Sequence, residues 1–240
     1  MARLPILMYH SVCHHINDSN DLIIAKDVLE AQFAYLSMRG YQSFHFSELK
    51  DFNSEHSLPK KSVIITFDDV YVNQLELAYP LLKKYNLKAT FFIPFKYVDG
   101  VDSWNTNEEK LMSVNQLKSM DSKVVQLGMH SFNHNKYNEL SIEEIDADFE
   151  ACFDFIKKHE LPVENVLAYP YGKYPRKDPV QKAFFQSLKK HNILYGLRIG
   201  NRVNSFPFSN NYEVKRIDIK GEDSLLKFKL KLKFGKLKLF

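Results

Sequence analysis

The chain has 240 residues, 45% hydrophobic and 26% charged, which is enough apolar material for one domain with a substantial core and too much for a disordered chain or a fibre. Its formal net charge of +4 is unevenly placed: Lys227, Lys229, Lys231, Lys233, Lys236 and Lys238 lie near the end without an acid among them, and setting those six aside leaves the rest near −2, which argues against nucleic acid as a partner. Two distant cysteines, Cys13 and Cys152, exclude a disulfide scaffold, and no apolar run reaches membrane-span length. The opening from Met1 to His10 is too short and too soon polar for a signal peptide, so the expectation is one domain in a reducing, cytoplasmic compartment.

In chain order, Pro5 to Tyr9 reads as a short buried strand, and Leu29, Phe33 and Leu36 recur at helical spacing between Asp27 and Arg39, with Gly40 as the helix stop. The run Ser62 to Phe67 is apolar on both faces, as a parallel strand covered on each side must be, and it ends in Asp68-Asp69. Pro80 forbids an unbroken helix from Leu75 to Tyr85 and is placed in the first turn of a helix that continues through Lys84. Lys88 to Ile93 is the next strand, and Val124 to Leu127 another, ahead of a Gly128 to His134 loop rich in ligand-type side chains. Ser141 and Glu144 match a capping box, Leu140 can staple onto Ile145, and Ile142, Ile145, Phe149, Cys152, Phe153 and Ile156 share one helical face. Asn165 to Tyr169 is a strand leading into Pro170-Tyr171-Gly172, Pro179 to Lys190 is helical, and Ile193 to Ile199 and Glu213 to Ile217 are further strands.

From Lys227 to Phe234 lysine alternates with apolar residues at a period of two, which gives one cationic and one apolar face if the segment is extended; a final strand or helix with solvated lysines is the alternative. At about 1 kcal/mol per basic residue near anionic lipid, such a tail would hold the protein at the cytoplasmic face of a membrane. The organisation expected is therefore a domain over 1–220 followed by a basic, amphipathic tail over 221–240.

Strands alternating with helices imply a parallel sheet, and roughly seven such units suit an irregular (β/α)7-type barrel better than an open sheet. In such a barrel chemistry gathers at the C-terminal ends of the strands, where Asp68-Asp69, His130 to His134 and Pro170 to Gly172 all fall. Two imidazoles four residues apart can reach one ion if their loop makes a helical turn, and a carboxylate from another strand completes a three-ligand set with an open position. A metal at such a position lowers the pKa of its bound water to about 7.

The sequences Thr66-Phe67-Asp68-Asp69, His130-Ser131-Phe132-Asn133-His134 and Tyr169-Pro170-Tyr171-Gly172 together resemble the motifs of the polysaccharide deacetylases, the family-4 carbohydrate esterases. The resemblance runs from about residue 3 to 217 and includes Met8-Tyr9-His10-Ser11, an opening found in the exopolysaccharide (poly-N-acetylglucosamine) branch. It implies that Asp68 is the general base and that Asp69, His130 and His134 bind one divalent metal, Zn²⁺ first, although the donor set also accepts Co²⁺, Ni²⁺ or Fe²⁺. It implies further that the Tyr171 backbone N–H faces the developing oxyanion, a stabiliser worth about 3 kcal/mol in comparable sites. The substrate is then an acetylated carbohydrate, with N-acetyl hydrolysis expected on a surface polysaccharide, lipopolysaccharide or lipid-linked glycan. Trp104, Tyr169, Pro170 and Tyr174 are candidate substrate contacts, with ordinary loop packing as the alternative for the aromatic rings.

Three departures stand out. Val70 occupies a position where the family commonly has glycine, and a β-branched residue tolerates positive φ poorly. Ala168 stands where many members carry an arginine that orients the base. No Leu-x-His motif supplies the general acid, and His10 is the candidate for that role, with a core or rim histidine as the alternative. These departures leave two other readings open: a catalytically impaired carbohydrate-binding relic of the same fold, and a metal-dependent amidase acting on a small substrate.

Overall fold

The computed structural model describes every residue except 53–55, 107 and 237–240. Its centre is a closed barrel of parallel strands: β1 (Ile6–Tyr9), β2 (Ser62–Asp68), β3 (Ala89–Ile93), β4 (Val125–Met129), β5 (Val163–Ala168), β6 (Tyr195–Ile199) and β7 (Val214–Asp218). Each strand pairs in parallel with the next, and β7 returns to β1 with Ile217 opposite Leu7. The helices α1 (Lys26–Met38), α2 (Tyr79–Lys84), α3 (Val114–Ser119), α4 (Ile142–His159), α5 (Val180–Lys190) and α6 (Leu225–Phe234) follow them. This is the seven-stranded barrel expected from the alternation of elements.

The two-residue period of a strand divides its side chains between two cores. On β2, Val63, Ile65 and Phe67 join the large apolar layer under the helices, whereas Ile64 joins Ile6, Phe92, Val166, Leu197 and Val214 in the barrel interior. Continuing that inward register leads through Thr66 to Asp68 at the mouth, and on β7 from Val214 to Arg216. Gly128 makes room for this interior, because a Cβ there would lie 2.6 Å from the Phe92 ring.

Local signals decide several helix ends. Ser141 Oγ accepts from Glu144 N (3.2 Å) while Glu144 Oε2 accepts from Ser141 N (2.8 Å), the reciprocal box that starts α4. A π-helical turn over Gln74–Ala78 precedes α2 and leaves Pro80 in the first turn of the α-helix, where its missing N–H costs nothing.

The C-terminal segment is helical from Leu225 to Phe234, so the extended two-faced arrangement does not form there; Lys238 lies outside the described residues. A helix satisfies its own backbone, and this one has a surface to pack on. Phe228 and Leu232 turn inward, with the Phe228 ring edge-on to Tyr35 of α1, and buried Lys231 pairs with buried Asp223 and donates to Asp218 O at 2.7 Å. One lysine of the series is thereby taken out of solvent.

Candidate metal and catalytic site

Asp69 immediately follows β2 and His130 immediately follows β4, so barrel closure brings both to one mouth. Asp69 Oδ1 lies 3.6 Å from His130 Nε2 and 3.3 Å from His134 Nε2, and one ligand atom from each of the three residues falls within 4.8 Å of the others. Ligands about 2.1 Å from a tetrahedral ion stand about 3.4 Å apart, so these separations fit a shared cation. Asp69 Oδ1 is buried and accepts no hydrogen bond among the described residues, as expected of an atom whose partner is an ion. All three residues are buried.

The histidines converge without the helical turn expected from their spacing. Ser131 and His134 have φ of 66° and 57°, and this left-handed path is fixed by hydrogen bonds: Ser131 Oγ accepts from His134 N at 2.8 Å. Buried Asp148 on α4 accepts from Phe132 N (2.9 Å), Asn133 N (3.0 Å) and the Tyr137 hydroxyl (3.1 Å), tying the ligand loop to the most regular helix of the fold. His130 Nδ1 lies 2.8 Å from Ala168 O, an interaction that directs Nε2 toward Asp69. Burial holds the His130 imidazole down to about 4, leaving it neutral and able to ligate at ordinary pH.

Asp68, 2% exposed, is clamped by Arg216, 1% exposed, with Nη1 donating to Oδ1 at 2.5 Å and Nη2 to Oδ2 at 2.7 Å. Burial raises the Asp68 carboxyl, but the charge and hydrogen bonds of Arg216 outweigh it and hold the group well below the usual carboxylate range. Thr66 Oγ1 also accepts from Arg216 (3.3 Å), and the guanidinium lies over the Phe92 ring. Gln74, from the π-helical turn, donates to both Asp68 O (2.6 Å) and His10 O (3.0 Å) and so joins the end of β2 to the end of β1. His10 Nε2 stands 3.7 Å from Asp68 Oδ2.

His10, Asp68, Asp69, His130, His134 and Arg216 line a cavity of about 280 Å³ whose walls include Leu22, Trp104, Asn105 and Tyr171. Tyr171 sits on a turn with φ of 57°, 44% exposed, its ring edge-on to His134. Trp104 is half-buried and stacks on His134, with ring centroids 4.3 Å apart and planes 27° apart. Tyr169 and Tyr174 are placed differently. They stack on each other in the apolar layer and spend their hydroxyls on Tyr212 O and Glu213 Oε1, while Pro170 is buried; none of the three lines the cavity. His14 and His15 line a separate groove beside α1, so with Cys13 they form no metal cluster among the described residues.

A family model described as polysaccharide deacetylase matches residues 55–193. This chain belongs to that family. YxkH of Bacillus subtilis strain 168 is 32% identical over 177 residues, covering 72% of this chain, which spans 58% of the length of that relative. The poly-beta-1,6-N-acetyl-D-glucosamine N-deacetylase of Staphylococcus epidermidis is 25% identical over 222 residues, covering 89% of this chain and 73% of the relative. The same architecture is seen in IcaB from Ammonifex degensii, with a TM-score of 0.78 at 22% identity over 97% of both chains, and in the Streptococcus pyogenes deacetylase PplD, with a TM-score of 0.78 at 24% identity over 96% of this chain and 98% of the other.

Two of this member's departures from the family pattern now have a structural account. The arginine missing at Ala168 is supplied from β7 as Arg216, which sequence reading misses because no local motif surrounds it. Val70 does adopt the glycine-like conformation, with φ of 48°, next to Asp69 at 75°. Such backbone costs about 1–3 kcal/mol and is held by its surroundings: Val70 is fully buried, Val70 O accepts from Met112 N (2.9 Å), and Asp69 N donates to Phe92 O (3.0 Å). The strain leaves the three ligand atoms converged.

Proposed function

We propose that the protein is a metal-dependent hydrolase that removes N-acetyl groups from an exopolysaccharide or related surface glycan. The observation that carries this reading is the convergence of Asp69, His130 and His134 beside an independently anchored carboxylate, Asp68, in one small cavity. A divalent ion held by the three ligands, Zn²⁺ first by the chemistry of the donor set, would supply Lewis acidity and an activated water. Arg216 keeps Asp68 ionised and oriented, so that the carboxylate takes the proton of the attacking water. The Tyr171 N–H, on its left-handed turn, serves the oxyanion. His10, at the cavity wall and 3.7 Å from Asp68, returns a proton to the departing amine. The N-acetyl specificity is carried over from the staphylococcal relatives, which are named for that activity.

Acetate release from N-acetylglucosamine oligomers tests the reading, measured before and after chelation, with Zn²⁺ restored, and in Asp68→Asn. Activity lost on chelation, regained with Zn²⁺ and abolished in Asp68→Asn is the expected result. Release that persists unchanged in Asp68→Asn or after chelation would refute it.

The proposal extends to a peripheral contact with anionic membrane through α6, on whose outer side Leu226, Leu230 and Phe234 are exposed beside Lys227 and Lys233. Cosedimentation with phosphatidylcholine vesicles containing phosphatidylglycerol should exceed that with phosphatidylcholine alone and should disappear in the Leu226→Glu/Leu230→Glu double variant. Equal pelleting of the two proteins would reject the contact.

A further inference from the structure

The two histidines of the ligand set are oriented by different means. His130 has the usual support, a backbone carbonyl on its second ring nitrogen. His134 does not: its Nδ1 is buried and without a hydrogen-bond partner among the described residues, and its backbone sits at a φ of 57°. What holds the ring is aromatic. The Trp104 indole lies flat against it, Tyr171 meets it edge-on at 4.9 Å, and Tyr97 crosses Trp104 at 4.6 Å while donating its hydroxyl to Asn133 O, next to His134.

We infer that Trp104 is a positioning residue for the metal site, its indole face doing for His134 what the Ala168 carbonyl does for His130. The inference rests on the metal-dependent reading above and adds to it a residue outside the ligand motif. Two features support it. An imidazole that ligates a cation carries positive charge density, which the negative face of an indole attracts, so the stack strengthens as the ion binds. The indole is itself rigidly placed, because buried Asp102 accepts from Glu108 N and Glu109 N (3.0 Å each), from Asn105 Nδ2 (3.1 Å) and from the Thr106 hydroxyl (3.2 Å). The same segment is bridged through Leu111 to Tyr71, and Met112 N donates to Val70 O, so Trp104 shares its anchorage with the strand end that presents Asp69.

The test is Zn²⁺ affinity, measured by competition with a chromophoric chelator, and the visible spectrum of the Co²⁺-loaded protein, for the native chain, Trp104→Leu and Trp104→Phe. Trp104→Leu is expected to bind Zn²⁺ about 10- to 100-fold more weakly, the range seen when a ligand's outer support is removed, and to alter the Co²⁺ bands, at an unchanged melting temperature of the metal-free protein. Trp104→Phe, which keeps a flat ring, should stay within about threefold of native by the same reasoning and retain the native bands. If Trp104→Leu does not fold, Trp104→Met, with apolar bulk but no planar face, carries the same expectation. Native affinity and spectrum in the truncated variant would overturn the inference and leave the metal site standing, as would equal weakening in Trp104→Phe and Trp104→Leu. A native chain that binds neither Zn²⁺ nor Co²⁺ would overturn the metal reading itself and this inference with it.

Discussion

Replacing Arg216 with methionine probes the contact that anchors Asp68, the proposed base. Both partners are nearly inaccessible, at 1% and 2%, and the pair is bidentate at 2.5 and 2.7 Å, so the variant leaves a carboxylate in a desolvated interior without its cation. Removing one partner of a buried pair costs about 3–5 kcal/mol. At about 2–4 °C per kcal/mol for a chain of this size, the melting temperature should fall by roughly 6 °C or more. The cost comes from the orphaned charge, so adding Asp68→Asn to Arg216→Met should recover much of the loss. Urea denaturation of the native protein, both single variants and the double variant should therefore give a coupling energy of about 3 kcal/mol. Additive effects within about 0.5 kcal/mol would show that Arg216 contributes packing and not charge compensation, and the account of the anchored base would fall with that result.

Val70→Gly should leave acetate release within about threefold of native, because the ligand atoms already converge with valine in the left-handed region and strain of about 1–3 kcal/mol is carried by the folded state, not by the reacting groups; a gain of ten times or more would mean that valine holds the site off its working geometry. Acid sensitivity should trace in part to His45, which burial holds below its ordinary value although its Nε2 lies 3.2 Å from Val124 O. The folded chain then binds this proton less readily than the unfolded chain, so the stability present above about pH 6.5 is lost as pH falls from there toward the folded value, by up to about 1.4 kcal/mol per pH unit. Melting curves at pH 7.5 and 5.5 should show a smaller acid loss for His45→Gln than for the native protein, and identical losses would dismiss the assignment.

The sequence by itself determined what short-range patterns can carry. The double-sided apolar run before Asp68-Asp69, the Ser141 and Glu144 box and the alternation of strands with helices specified a parallel barrel with its ligands at strand ends, because covering both faces of a strand, capping a helix and crossing over to a parallel neighbour each leave a local trace. The placing of Asp69, His130 and His134 at strand ends was legible for the same reason, whereas the choice of Asp69 over Asp68 as their companion rested on the resemblance of the three motifs to the family. Tertiary structure decided the rest. Arg216 reaches Asp68 from 148 residues away only because closing β7 against β1 turns two inward registers toward one interior. Asp148 reads as an ordinary polar position of α4 until the ligand loop lays its amides on it. The lysine and leucine alternation near the C-terminus reads equally as strand or helix. A helix satisfies its own backbone, and only the folded barrel supplies the Tyr35 ring that Phe228 meets and the buried Asp223 that Lys231 reaches, so the surroundings decided for α6.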